Sequence, residues 1–168
     1  WTATPPFLST NQTTFTNSGG NLLGNWQHRI DNDQRLSMQV YYDYNSRDDH
    51  FFDIAYHILD SELRYETLIG KRHEITTGVG YRRITSDNEP TSQSNIPNQT
   101  NTLFSLFLQD TYALVDNRLI LTLGTKWEHN DFTGQEWQPS AKLLWKPVER
   151  HSLWTSVSRA VRTPSVND

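Results

Sequence analysis

Six histidines, His28, His50, His57, His73, His129 and His151, are the first residues to test for chemistry. No two of them form a close-set pair at the spacing of a helical metal motif or a zinc finger. They read as ordinary strand or loop residues. The chain has no cysteine, which removes thiolate metal sites and disulfides together. Asp43, Asp48, Asp49 and Asp53 lie close enough in sequence to gather around a calcium ion, but the spacing is not that of an EF-hand loop. A solvated acidic loop explains them better. There is no G-x-S-x-G, no H-E-x-x-H and no glycine-rich phosphate loop after a strand. The adjacent carboxylates Asp48 and Asp49 have no partner acid across a cleft. The sequence is read as non-enzymatic, with no metal site and no cofactor.

Two other groups carry charge or flat apolar surface. Glu62, Arg64 and Glu66 alternate along one stretch, and Arg35, Gln39 and Asp43 along the stretch before it. Placed on neighbouring strands, they form one charged wall with opposite signs able to pair across the gap. Lys126, Glu128 and Lys142 repeat the arrangement. Such a wall guides a ligand or simply packs, and packing is the simpler account. Trp26, Tyr42, Tyr81, Tyr112, Trp127 and Trp145 offer either a sugar-stacking platform or rings at a membrane boundary. Their places near strand ends favour the boundary.

The elements that position these groups alternate with a period of two. From Leu103 to Trp145, Leu106, Leu108, Tyr112 and Leu114 share one parity. Leu119, Leu121, Leu123, Thr125 and Trp127 share another, as do Trp137, Ala141, Leu143 and Trp145. Each set falls on one face of a strand, whereas a helix needs apolar positions at i, i+3, i+4 and i+7. Leu36, Met38, Val40, Tyr42 and Tyr44 form the cleanest strand. Residues 51–60 fit either a helix face or the start of a long strand. The strand is favoured because its neighbours are strands and hairpins pair. About eight strands result. Their connections, at 31–34, 45–50, 70–72, 86–101, 115–118, 130–136 and 146–150, take turns between short and long. A transmembrane up-and-down barrel sorts its loops by side in this way, and a Greek-key sandwich has no reason to.

With 168 residues the chain suits one domain, and a net charge of −4 gives no reason to expect a nucleic-acid partner. Mean hydropathy is −0.72. No run reaches the roughly 18 apolar residues of a membrane helix, but barrel strands expose only alternate residues to lipid. The first ten residues lack the charged and apolar regions of a signal peptide. The expected organisation is an N-terminal loop over 1–20, an antiparallel barrel segment over 21–162 and a tail over 163–168. The loop pattern puts both ends on the long-loop side, so the chain reads as an internal section of a larger barrel.

Several pieces together carry a family resemblance. They are Phe107, Gln109 and Asp110; Leu121, Leu123, Gly124, Lys126 and Glu128; Gln138-Pro139-Ser140; and Ser158 through Pro164. Upstream, Val40-Tyr41-Tyr42-Asp43 and Arg72-His73-Glu74 with Gly78, Gly80, Tyr81 and Arg82 fit the same pattern. Over about residues 20–166 the chain resembles the barrel of TonB-dependent outer-membrane receptors. No single piece is specific; their order and spacing are. The resemblance implies a 22-stranded barrel in the bacterial outer membrane, with a plug domain, importing a scarce nutrient such as a ferric siderophore or other metal chelate. It implies membrane lipid, the TonB complex and a small-molecule ligand as partners, the plug and TonB-contacting parts lying outside this stretch.

On this reading, outer loops 45–60 and 86–101 are expected to reach the ligand through Arg47, His50, Arg82 and Arg83, because cations suit anionic chelates. Two alternatives stand beside it: a complete small β-barrel ligand-binding protein, and a soluble carbohydrate-binding β-sandwich. A section of barrel taken alone has two open strand edges. It is expected to close on itself or to associate edge to edge.

Overall fold

The computed structural model describes residues 16–48, 53–91 and 95–162. Eight strands follow one another: β1 (Thr16–Arg29), β2 (Gln34–Asp48), β3 (Asp53–Ile69), β4 (His73–Glu89), β5 (Gln99–Val115), β6 (Leu119–Asn130), β7 (Gly134–Val148) and β8 (His151–Ser158). They form one antiparallel sheet in the order β1 to β8, each strand paired with its neighbours in sequence. Among the described residues β1 and β8 are not paired with each other and all strands belong to one sheet. The described strands therefore form neither a closed eight-stranded barrel nor a sandwich.

The register explains why the alternation in the sequence is so clean. Directly paired residues point to the same side, so one parity per strand builds each face. On one face a continuous row runs through Trp26, Met38, Leu63, Val79, Leu106, Trp127 and Trp137, each paired with the next. Rows of Leu36–Tyr65 and Thr77–Leu108–Thr125–Pro139 extend it. The other face carries Arg35–Glu66, Ser37–Arg64 and Gln39–Glu62. Among the described residues no apolar side chain is buried. Leu108, Leu123 and Trp145 are each about half exposed. The sheet is one layer thick and holds no core of its own.

Residues 51–60 resolve as strand from Asp53 onward. Pairing with β2 on one side and β4 on the other overrides the local helical pattern. The structure also corrects the expected loops. β1 begins at Thr16, β2 reaches Asp48 and β4 reaches Glu89. Polar residues 16–20, 45–48 and 86–89 continue the ladder, because backbone hydrogen bonds do not need an apolar side chain. The connection expected at 130–136 is a three-residue turn, 131–133, closed by Gly134 at φ +73°. The strict alternation of short and long loops therefore reduces, among the described connections, to one long loop at 90–98. Excess length appears instead as strand: β3, β4 and β5 have 17 residues each, against the roughly 9–11 needed to cross a bilayer. Residues 1–15 of the expected N-terminal loop over 1–20, together with Asp49, His50 and the tail over 163–168, lie outside the described residues.

Four tight turns, 30–33, 70–72, 116–118 and 149–150, lie at one end of the sheet. Gly70 (φ 66°) and Asn117 (φ 58°) supply the left-handed backbone that two of them require. In turn 116–118, the Arg118 amide donates to the Val115 carbonyl at 3.0 Å.

Gly78 is the most closely approached of the described glycines. A Cβ there would sit 2.5 Å from the Leu63 carbonyl oxygen and 2.7 Å from the Phe107 ring. Gly78→Val is expected to destabilise the fold by about 1–3 kcal/mol or more, as overpacking does. Gly20→Ala, where nothing lies within 4 Å, is expected to change it by no more than about 0.5 kcal/mol. Denaturant midpoints of the detergent-solubilised protein check both.

Candidate functional site

The polar face is the part of the sheet with chemistry on it. Its residues are also the best covered: Gly78, Ser105, Glu128 and Asn130 are the buried ones among the described residues, and all four belong to this face. Starting near the tight-turn end, Arg35 lies 3.6 Å from Glu66 across strands. Arg64 lies 2.7 Å from Glu62 along its own strand. The Arg64 guanidinium also sits over the Phe107 ring, 5.8 Å from its centre. That is within cation–π range. Further along, Arg82 donates to Asp60 at 2.6 Å.

A second patch belongs to β6 and β7. Lys126 Nζ is 2.6 Å from Glu128 Oε1, and Gln138 Nε2 donates to Glu128 Oε2 at 2.6 Å. Just past β8, Arg159 pairs with Glu136 at 3.1 Å. Exposed pairs of this kind contribute about 0–1 kcal/mol each. Glu128 differs, because it is buried and both of its oxygens are engaged by short charge-assisted bonds. The charged wall expected from Arg35, Gln39, Asp43, Glu62, Arg64 and Glu66 is thus one face, and Lys126, Glu128 and Lys142 share it.

The four residues expected to meet a ligand are not brought together. Arg82 is on the polar face opposite Asp60, whereas Arg83 follows Leu59 and Thr102 on the apolar face. Adjacent residues of a strand always part in this way. Arg47 is on the polar face opposite Ile54, six strand positions beyond the level of Arg82. That is roughly 20 Å along the strand direction. His50 is outside the described residues.

Other residues organise the long-loop end without any signal in the sequence. The backbone amide of Asn88 donates to the Asn98 side chain at 2.6 Å, and the Asn88 amide group donates to the Pro97 carbonyl at 3.0 Å. These bonds tie the base of loop 90–98 together. Asp131 accepts from the Thr102 amide at 2.6 Å and from the Thr102 hydroxyl at 2.7 Å. Thr102 lies 29 residues from Asp131 in sequence, so only the register reveals the contact. No group of three His, Cys, Asp or Glu side chains suited to a metal ion occurs among the described residues.

A model of the TonB dependent receptor-like β-barrel matches residues 1–168, the whole chain. The chain belongs to that family. The ferric enterobactin receptor of Pseudomonas aeruginosa is 36% identical over 64 residues, which is 38% of this chain and 8% of that protein. Among solved structures, the siderophore receptor PirA of P. aeruginosa aligns over 89% of this chain and 28% of its own, with a TM-score of 0.74 at 15% identity. A ferric enterobactin receptor mutant of the same organism aligns over 89% and 26%, with a TM-score of 0.74 at 19% identity. At these identities the structures establish the fold. The chain spans about a quarter of the length of the receptors it superposes on. It is a sector of a TonB-dependent receptor barrel, eight consecutive strands of the wall.

The Thr102 contacts hold the Asp131 carboxyl below the usual carboxylate range, the backbone bond first and the hydroxyl bond second. A lowered folded pKa means that the stabilisation is present above the ordinary value and is lost as pH falls through the lowered one. The 131–133 turn is therefore expected to keep its Thr102 contact to a pH below that at which a free aspartate protonates. Protection of the Thr102 amide against exchange, followed against pH, checks this. Asp131→Asn should remove the pH dependence in that window.

Proposed function

We propose that this chain forms part of the membrane-spanning wall of an outer-membrane importer for an iron chelate of the siderophore class, worked through the TonB complex by parts of the receptor beyond this sector. The observation that carries the reading is the separation of faces in a single register over eight strands. A one-layer sheet with no core needs an apolar medium on one side and water on the other. The apolar face supplies the first contact, with lipid. Aromatic rings lie on either side of its middle row: Tyr112 and Trp145 toward the tight-turn end, and Tyr42 and Tyr81 toward the other. Rings with an apolar body and a polar edge suit the two water boundaries of a bilayer. The polar face then lines an aqueous lumen.

Similarity to a ferric enterobactin receptor and to PirA supports a siderophore as cargo. Such chelates are bulky and often anionic, so cations on the lumen side of the outer half suit them. Arg82 and Arg47 occupy such positions. Arg83, facing the other way beyond Tyr81, suits an anionic group at the lipid boundary. The wall acts by binding and shape, not by catalysis. When this sector is isolated from lipid, its β1 and β8 edges and its apolar face favour association between copies.

In the intact receptor, Arg82→Ala together with Arg47→Ala is expected to weaken ferric siderophore binding about tenfold, from the loss of roughly 1.4 kcal/mol of charge attraction. Arg83→Ala should leave it unchanged. Equilibrium titration with a panel of ferric chelates, alongside iron uptake by cells, measures both. Unchanged affinity in the double variant would remove the proposed ligand contacts. Failure of the receptor to partition into outer membranes would remove the wall itself.

A further inference from the structure

The apolar face carries one acid that its surroundings do not explain. Asp110 is paired with Ile75 on β4 and Leu123 on β6, so its carboxylate projects among apolar neighbours. Oδ2 accepts from His73 Nδ1 at 2.8 Å. Oδ1 is shielded from water and has no hydrogen-bond partner. The His73 ring stacks on Tyr112, 4.2 Å between centres and 8° from parallel. The adjoining turns bring cations to the same rim. Lys71 and Arg72 are in one and Arg118 is in the next, with Arg72 3.5 Å from Asp116 between them. Above the His73–Asp110 pair the apolar face opens into a trough of about 610 Å³, inside the roughly 300–1,000 Å³ range of ligand sites. Thr77, Val79 and Leu108 form its floor. Tyr65 walls one side, and Trp127 and Trp137 the other.

The geometry points to a binding site for a single aminophospholipid in the leaflet on the tight-turn side. This rests on the wall reading above. Three features match three parts of that molecule. The trough takes an acyl chain, which is apolar and narrow. The accessible Oδ2 of Asp110 keeps a second lone pair beside His73 and takes the ammonium, with the Tyr112 ring beside it to attract a cation. The Lys71, Arg72 and Arg118 side chains take the phosphate. A phospholipid without an amine satisfies the trough and the turns but leaves the acid unmatched. The site therefore discriminates on the headgroup, and ordinary annular contact does not. An acid facing hydrocarbon is unfavourable unless it is paired, and His73 offers only one donor to it. The lipid supplies the other.

The test uses the intact receptor carrying this chain, reconstituted in vesicles of equal phosphatidylethanolamine and phosphatidylglycerol. Mild detergent extraction and native mass spectrometry then count the lipid that stays bound. The expected result is one retained lipid per receptor, with at least a threefold preference for phosphatidylethanolamine. Asp110→Asn, folded as judged by siderophore binding, is expected to bring the preference to parity. Thr77→Trp, which fills the trough, is expected to lose retention of both lipids. In the unaltered receptor, phosphatidylethanolamine with brominated acyl chains should quench fluorescence more than brominated phosphatidylglycerol does. Trp127→Phe with Trp137→Phe should remove that difference. Parity in the unaltered receptor, a preference that survives Asp110→Asn, or equal quenching overturns the site. A receptor that inserts and binds chelate but shows no lipid preference overturns this inference alone. One that does not enter vesicles overturns the wall reading with it.

Discussion

A single-layer sheet has no interior to hide a mistake of register. Slipping one strand by one residue would move every one of its apolar side chains to the charged side and every ion to the apolar side. Seven consecutive antiparallel ladders in this chain keep one phase, so that Trp26 on β1 and Trp137 on β7 belong to the same row. Shifts occur at two points, Ala113/Val115 and Trp145/Val148. Both lie beside tight turns, where a bulge re-aims the chain without disturbing the rows above it. The fixed phase is what lets two incompatible surfaces exist back to back.

Fixed phase also decides what the ions do. Arg35–Glu66 and Arg82–Asp60 join neighbouring strands, and Lys126–Glu128 lies along one strand with Gln138 closing from the next. The first two contribute little as exposed pairs. Their larger effect is on the alternatives. A slipped register would leave the same charges against Leu and Val, where an unpaired ion is far more costly than a lost surface pair. The charged wall therefore acts against misalignment more than it adds to stability. Gly78 acts in the same direction by sterics, since the close approach of Leu63 and Phe107 fits one alignment of β3, β4 and β5.

The strands, their faces and the family were legible in the sequence because alternation is local and the motif pieces Phe107-x-Gln109-Asp110 and Leu121-x-Leu123-Gly124-x-Lys126-x-Glu128 survive in order. The same alternation put Tyr42, Tyr112, Trp127 and Trp145 among the apolar positions of their strands, and the register brings them with Trp26 and Tyr81 to one face. What could not be read was where each strand stops. Residues 16–20 and 86–89 have loop composition, yet their backbone groups find partners in β2 and β3. Turn 131–133 likewise passed for a long loop, since Gly134, Gln135 and Glu136 look like loop residues until Asn130, His129 and Glu128 are seen opposite. The candidate site was less legible for a related reason. Arg82 and Arg83 were grouped by charge, although the pleat that identified the strands also sends them to opposite faces. The bracing roles of Asn88 and Asp131 depend on partners distant in sequence that no local pattern names.

The histidines show how far that logic runs. Taken along the chain they are scattered, and nothing in their spacing suggests a common role. In the sheet, His28, His57, His73 and His129 all lie on the apolar face, and each meets an aromatic ring. His28 stacks on Trp26 and His129 on Trp127, both at a separation of two residues. His57 meets Tyr44 and His73 meets Tyr112 across strands. The first two contacts follow from the period of two alone, while the others need the register as well. An imidazole has one flat apolar face to lay on a ring and two edge nitrogens to turn outward. In this arrangement the edge finds a polar partner in two cases, Tyr42 with Asp87 for His57 and Asp110 for His73. At the limits of an apolar band the same side chain thus continues the aromatic surface and begins the polar one. That is why residues which chemistry would assign to a metal are placed here as edging.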